Sequence, residues 1–173
     1  MLLSPVGCSS EGHMPNEIIW RPFGDGIVRV TKDAILFPRE PRIAKHPKVP
    51  GIYRLRFNNN GYTYIGKAGD LPSRFSNYRR PTQGTEQEYI VHYALLESNG
   101  ATIEVFTDGD LSCGTVRSVL EKAAIQTATG PLLNKRGLRI DPYYLRLKVR
   151  YHREMLAEAT KALADLGNGA SLE

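Results

Sequence analysis

Cysteine is scarce in this chain of 173 residues, which contains only Cys8 and Cys113. Two cysteines cannot build a disulfide framework or a cysteine-rich zinc site. Long apolar runs are also absent: no stretch reaches the roughly 18 apolar residues of a transmembrane helix. The first residues lack the basic region and the apolar length of a signal peptide. We therefore expect a cytoplasmic protein with no membrane partner.

Histidine is sparse as well, and the four histidines show no pair at the i, i+3 or i, i+4 spacing of a helical metal site. A structural zinc ion is therefore not expected. Lysine and arginine total 23 against 18 acidic residues, a net charge of +5 that favours a polyanionic partner only weakly. The distribution is more informative, because seven basic residues lie between Lys135 and Arg153 with Asp141 as the only acid among them.

The order of apolar runs and turn residues predicts one α+β domain preceded by an irregular segment. Residues 16–49 hold short apolar runs separated by glycine and proline, which indicates short strands and turns that wrap the domain. Gly51 to Phe57 and Tyr62 to Lys67 flank an asparagine-rich turn and predict an antiparallel hairpin. Helices are predicted over 70–79, 86–98 and 115–127, and a third strand over 101–107.

Two segments allow alternative interpretations. Asn99-Gly100 indicates either the end of a helix or the turn of a hairpin. From Asp141-Pro142 to Leu166, apolar residues recur at alternating steps of four and three, which favours a long amphipathic helix. The competing interpretation, a strand over 145–151, accounts for fewer residues. The apolar stripe of this helix consists of Leu145, Val149, His152, Leu156, Ala159, Leu163 and Leu166.

The predicted hairpin carries Gly51-Ile52-Tyr53 on its first strand and Tyr64-Ile65-Gly66 on its second. Here the sequence resembles the GIY-YIG nuclease superfamily, and most closely its compact, restriction-type members. The resemblance implies a small three-stranded antiparallel sheet flanked by helices, with an N-terminal extension over 1–49, a catalytic domain over 50–137 and a long basic C-terminal helix and tail over 138–173. It continues in order over residues 50–134, about half of the chain, through Lys67, Arg74, Tyr78, Glu121 and Asn134.

The resemblance implies a DNA endonuclease in which a tyrosine accepts the proton of the attacking water. It favours Tyr53 as this base, although either hairpin tyrosine could approach the water and spacing alone does not choose between them. Tyr64 and Lys67 are expected to orient or acidify the water or the phenol. Tyr78 occupies a position where the family often has Tyr or His.

The remaining matched residues are expected to act on charge. Arg74 is expected to contact the phosphate oxygens, and Glu121 to hold one Mg²⁺ or Mn²⁺ ion. Asn134 is expected to position Glu121 or the phosphate. Taken singly, these residues have ordinary explanations, such as a surface ion pair between Arg117 and Glu121. The ordered set is what indicates a nuclease.

The basic residues after the motif are candidate DNA contacts. Three arginines share one face of the predicted C-terminal helix, which suits contacts with phosphates, although a solvated face is the alternative. The short chain beyond the motif favours a restriction or defence enzyme, alone or as a homodimer. A structure-specific or single-strand nuclease of repair or recombination is the second interpretation, and a non-catalytic DNA-binding module the third. The candidate contacts are Lys135, Arg136, Arg139, Arg146, Arg150 and Arg153.

Overall fold

Five β-strands and four α-helices form within the residues that the computed structural model describes, which are 17–32, 34–39, 48–82, 84–134 and 141–169, with side chains described as far as residue 166. The strands are β1 (Arg21–Val30), β2 (Ile35–Leu36), β3 (Gly51–Phe57), β4 (Thr63–Ala68) and β5 (Ala101–Phe106). The helices are α1 (Leu71–Arg79), α2 (Glu86–Glu97), α3 (Gly114–Thr127) and α4 (Pro142–Gly169). The predicted α+β class is confirmed.

The strands form one antiparallel sheet in the order β2-β1-β5-β3-β4. The prediction of a three-stranded sheet is therefore incomplete: β3, β4 and β5 are joined by β1 and β2, from the segment that was expected to form short strands wrapped around the domain. The pairing of β1 with β5 shifts register between Pro22 and Ile27. Gly24 and Gly26 lie in this irregular stretch with positive φ. These glycines interrupt the alternation of side chains that identifies a strand in a sequence.

The alternation of side chains along β3 supplies both faces of the sheet. Tyr53, Leu55 and Phe57 are buried on the face that α1 and α2 cover. Ile52 is buried on the opposite face, where it packs with Leu120 of α3. The two faces therefore have separate apolar cores. Strand β4 is at the edge of the sheet, and both α1, on one face, and α3, on the other, contact it.

Local signals define the ends of α1 and α2. Thr85 and Glu88 form the capping box predicted from their spacing, with both of its hydrogen bonds present. Asp70 is the N-cap of α1, but its side chain accepts a hydrogen bond from the Val49 amide at 3.2 Å and does not cap the helix. Asn99 and Gly100 have φ values of +55° and +102°, so they end α2 and do not form a hairpin turn.

The C-terminal segment is helical, and the alternative of a strand over 145–151 is wrong. Leu147 of α4 is fully buried in the core that also contains α2 residues. The half of α4 beyond Glu154 has few neighbours, and its side chains from 156 to 166 are exposed. Within the described part of the chain, no helix combines the length and the apolar character needed to cross a membrane.

Candidate active site

The side chains of the resemblance meet around β4. Tyr53 on β3, Tyr64 on β4 and Tyr78 on α1 are buried together on the face that α1 covers. Lys67 of β4 points to the opposite face, where it pairs with Glu121 of α3. The Glu121 carboxylate is close enough to Tyr64 to raise the pKa of that phenol. The two groups are therefore neighbours at the margin of the sheet.

Three tyrosines form a buried cluster. The ring centroids of Tyr53 and Tyr64 are 6.1 Å apart, and Tyr78 lies 6.3 Å from Tyr53 and 6.4 Å from Tyr64. The hydroxyls of Tyr53 and Tyr78 share a hydrogen bond of 2.5 Å. Only 1% of Tyr53 is exposed, compared with 8% of Tyr64. All three tyrosines are buried, and Tyr64 is the least buried of them.

Gly66 makes room for the phenol of Tyr53. The two residues are paired across the hairpin. A Cβ atom on residue 66 would lie 2.6 Å from Cζ of Tyr53, closer than real Cβ contacts, and would also clash with the hydroxyl. The last glycine of the second tripeptide is thus required by the tyrosine of the first.

The environments of the tyrosines differ in electrostatics. Burial raises the pKa of Tyr53 well above its ordinary value of 10, and proximity to Tyr64 raises it further. Burial also raises the pKa of Tyr64, and the Glu121 carboxylate adds to this; the hydroxyls of Tyr78 and Tyr53 and the guanidinium of Arg74 act in the opposite direction, but the pKa stays above its ordinary value. The pKa values of all three phenols are raised, and that of Tyr64 is raised least, so a phenolate is least disfavoured at Tyr64. The expectation that Tyr53 is the base does not fit its burial and its bond to Tyr78.

Arg74 is held beside the tyrosine cluster by Glu88. Its Nη1 atom lies 2.6 Å from Oε1 of Glu88, which also accepts from the amide of Asn77 at 3.1 Å. Burial alone would raise the pKa of Glu88, but the hydrogen bond from the Thr85 amide, that from Asn77 and the charge of Arg74 outweigh burial, so its pKa is lowered. Glu88 is therefore a carboxylate that orients Arg74.

Lys67 links β4 to α3. Its ammonium lies 2.9 Å from Oε2 of Glu121 and donates to Oγ of Ser118 at 2.9 Å. The Ser118 hydroxyl donates its own proton to the Gly114 carbonyl, so its oxygen accepts the hydrogen bond from Lys67. The side chain of Glu121 is 17% exposed. The Glu121 carboxylate is therefore paired with a positive charge, partly exposed to solvent and close to Tyr64.

A divalent cation at this site would have one carboxylate ligand from the chain. No cluster of three or more His, Cys, Asp or Glu side chains suited to a metal occurs among the described residues. Glu121 still fits Mg²⁺ or Mn²⁺, because these hard cations accept one carboxylate together with water and substrate oxygens. The ion pair with Lys67 engages Oε2 of a side chain that remains partly exposed.

Asn134 binds the main chain of β4. Its Oδ1 accepts from the Ile65 amide at 3.0 Å, and its Nδ2 donates to the Ile65 carbonyl at 2.6 Å. The preceding residue, Leu133, donates its amide to the Thr63 carbonyl at 2.8 Å. The carboxamide therefore continues the hydrogen bonding of the sheet beyond β4, and it fixes the strand that carries Tyr64. These hydrogen bonds do not supply the direct contact of Asn134 with Glu121 or with the phosphate that was expected.

The basic residues predicted to bind DNA have different environments. Arg146 lies 2.8 Å from Glu97 of α2, and Arg150 lies 2.9 Å from Glu154 and 3.8 Å from Glu97. These two arginines therefore join α4 to α2 in the free protein, and their role as DNA contacts stays a prediction. Arg153 is exposed, and the described residues give it no ion pair. Three candidates lie outside the described residues: Lys135, Arg136 and Arg139.

Two residues near the site were not anticipated in these roles from the sequence. Glu88 was assigned only to a capping box, and its contact with Arg74 depends on how α1 packs on α2. Ser118 belongs to no motif in the sequence. It follows Arg117 directly and lies one helical turn before Glu121. Arg117 does not pair with Glu121; it donates to the carbonyls of Leu111 and Ser112. Only the i, i+3 spacing of Ser118 and Glu121 could have indicated a shared face.

Comparisons of the chain with protein-family models, with curated proteins and with solved structures find no match. The resemblance to GIY-YIG nucleases therefore depends on the residues named above.

Proposed function

We propose that this chain is a cytoplasmic, metal-dependent DNA endonuclease of the restriction or defence type. The observation that supports the proposal is the convergence of Tyr64, Arg74 and the Lys67–Glu121 pair around β4, from three separate elements. Hydrolysis of a phosphodiester needs a base for the attacking water, positive charge on the phosphoryl oxygens and stabilisation of the leaving oxygen. The convergent residues are of the types that meet these needs.

Tyr64 is the residue that we assign as general base. It is the least buried tyrosine of the cluster, and its pKa is raised less than those of Tyr53 and Tyr78. Tyr53 and Tyr78 then act as positioning residues, because their mutual hydrogen bond fixes the rings against which Tyr64 packs. This assignment replaces Tyr53 in the role that the resemblance favoured.

Arg74 is assigned to the phosphoryl oxygens. A guanidinium presents several donors in one plane, so it can keep its bond to Glu88 and still donate to a phosphate. Because Glu88 already orients Arg74 at 2.6 Å, little reorganisation is required when charge develops in the transition state.

Glu121 is assigned as the ligand of one Mg²⁺ or Mn²⁺ ion. When bound, the ion supplies Lewis-acid stabilisation and acidifies coordinated water. Lys67 balances the carboxylate in the free protein at 2.9 Å, and it remains within reach of a phosphate oxygen at the same margin of the sheet. Asn134 keeps β4 in place through the backbone of Ile65.

The proposal is tested by incubating the purified chain with supercoiled plasmid in Mg²⁺, with EDTA as the paired control. We expect nicked and linear DNA only in the presence of the metal. The ends are then mapped on several unrelated plasmids. Ends at one recurrent sequence support a restriction enzyme, whereas ends at junctions, flaps or single strands support a repair nuclease. Binding without cleavage under every metal condition would contradict an enzyme.

A further inference from the structure

A cleft lies on the face of the sheet that α3 packs against, beside the site described above. It has a volume of about 480 Å³ and lies between the C-terminal end of α3, the sheet and the turn that joins β3 to β4. Its apolar lining includes buried Ile65 and Ala124. A Cβ atom on Gly61, in the turn, would meet nothing within 4 Å, so there is open space on that side. The volume is within the range of sites for small ligands.

Trp20 and Arg54 form one wall of the cleft. The guanidinium carbon of Arg54 lies 4.6 Å from the centroid of the Trp20 ring. Glu104 accepts two hydrogen bonds from this guanidinium, at 2.6 Å from Nε and at 3.1 Å from Nη2. The two bonds fix the plane of the guanidinium in the free protein. Aromatic rings and arginine planes are the surfaces on which proteins stack nucleobases.

Arg56 brings a second guanidinium to the cleft. Its side chain is 53% exposed, and its Nε atom lies 3.6 Å from Glu104, which is longer than a hydrogen bond. Among the described residues, Glu104 is its only ionic partner. One carboxylate thus faces two positive charges, and the terminal nitrogens of Arg56 can donate to a ligand. Planar donors with an excess of positive charge suit a phosphate group.

We propose that this cleft binds one nucleoside monophosphate unit, with its base stacked against Trp20 and its phosphate on Arg56. Two sources share this chemistry: a free nucleotide, and one nucleotide of a DNA strand whose base is unstacked from its neighbours. The second source rests on the proposed nuclease function, whereas the first does not.

The position of the cleft suits a nucleotide of the substrate. Thr63 and Lys67 are separated by four residues of β4, so their side chains lie on the same face of the sheet. Thr63 lines the cleft, and Lys67 pairs with Glu121. Four residues of a strand span about 13 Å. A DNA strand that runs along β4 from the Lys67–Glu121 pair therefore reaches the cleft.

Other ligands fit the cleft less well. A divalent cation would find no acidic side chain among the described residues that line it. A wholly apolar ligand would bury the guanidinium of Arg56 without a partner, which is costly. A phosphate ion alone would leave the Trp20 wall unused. These considerations favour a ligand with both a ring and a phosphate.

The proposal is tested by the fluorescence of Trp20, which is the only tryptophan of the chain. The full chain is titrated in EDTA with deoxyadenosine 5′-monophosphate (dAMP), with deoxyadenosine and with inorganic phosphate. N-acetyltryptophanamide corrects for light that the nucleotide absorbs. We expect dAMP to quench the emission, and deoxyadenosine to require at least about a tenfold higher concentration, because it lacks the charged group. Inorganic phosphate should leave the emission nearly unchanged.

Arg56→Gln should raise the concentration of dAMP required by about tenfold and should leave the response to deoxyadenosine unchanged. Arg29→Gln is the matched control. Arg29 is 52% exposed and pairs with Asp25 at 2.7 Å, but it lies on β1 outside this cleft, so this variant should respond like the wild type. Melting curves check that the variants are folded. If Arg56→Gln is not, Arg56→Lys replaces it and should also weaken the response to dAMP, because it lacks the planar donors.

A short single-stranded oligonucleotide distinguishes the two sources. Quenching by the oligonucleotide at lower concentration than by dAMP identifies a nucleotide of a DNA strand, whereas quenching by dAMP alone identifies a free nucleotide. The absence of quenching by both would overturn the proposal, and so would an equal response to dAMP and to inorganic phosphate. Because Trp20 reports binding in EDTA, where no metal supports cleavage, failure of this test is distinguishable from failure of the proposed nuclease activity.

Discussion

Tyr53 and Gly66 face each other across the β3–β4 hairpin, and the phenol of Tyr53 occupies the space that a side chain on residue 66 would fill. This relationship gives a physical reason for the two tripeptides to occur together. The tyrosine of the first needs the glycine of the second, and the resulting position of the ring supports Tyr64 and Tyr78.

Gly66→Ala should lower the free energy of unfolding by about 1–3 kcal/mol, because the new methyl group overlaps Tyr53 in a packed core. Thermal denaturation measures the change. Gly69→Ala is the control, since a Cβ atom there lies 3.6 Å from Arg117 in ordinary contact, and it should leave the melting temperature nearly unchanged. Equal effects of the two substitutions would contradict the role of Gly66.

Tyr64→Phe should reduce single-turnover cleavage by about two to four orders of magnitude, the range for loss of an acid–base group. Tyr53→Phe should reduce it less and should mainly lower stability, by about 1 kcal/mol, because it removes the buried bond to Tyr78. Rapid-quench kinetics and melting curves separate the two effects. If Tyr53→Phe has the larger kinetic effect, Tyr53 is the base.

Glu88→Gln should destabilise the protein by about 2 kcal/mol at neutral pH, because it removes the charged partner of Arg74 from a buried position. The pKa of Glu88 is lowered from 4.5, so its contribution is present above that pH and is lost as the pH falls below it. The difference in melting temperature between wild type and variant should therefore shrink on acidification below 4.5. Exposed Glu158→Gln should show no such difference at any pH.

Arg153→Gln should weaken DNA binding and reduce the salt slope by about one counterion, because this side chain has no ion pair among the described residues. Arg146→Gln should leave the slope nearly unchanged and lower stability slightly, since it breaks the bond to Glu97. Fluorescence anisotropy over a range of salt concentrations tests both. An equal loss of slope in the two variants would mean that Arg146 also contacts phosphate.

Local patterns predicted most of the fold. The observed bounds of the hairpin and of the four helices lie within a few residues of the predicted ones. Each of these elements has a cap, a turn or a strong apolar period. Short strands were predicted in residues 16–49, but the length of β1 and its place in the sheet were not. Its glycines at 24 and 26 break the alternation, and its pairing with β5 is a contact between distant segments that no local pattern records.

The sequence named residues that the fold brings together around β4, but it did not show the contacts between them. The motif named Arg74 and Asn134, yet their partners, Glu88 and the backbone of Ile65, follow from tertiary packing. The relative exposure of Tyr53 and Tyr64 likewise depends on which side of the sheet α1 covers. For the same reason, the sequence could not show that Arg146 pairs with Glu97.

The central claim, that Glu121 holds a catalytic metal ion, is tested most directly by the pair of variants Glu121→Gln and Lys122→Gln. Plasmid cleavage in Mg²⁺ and calorimetric titration with Mn²⁺ are measured on both. We predict that Glu121→Gln lowers cleavage by at least about two orders of magnitude and abolishes the heat of Mn²⁺ binding, while Lys122→Gln retains both. Cleavage and metal binding at wild-type levels in Glu121→Gln would contradict the claim.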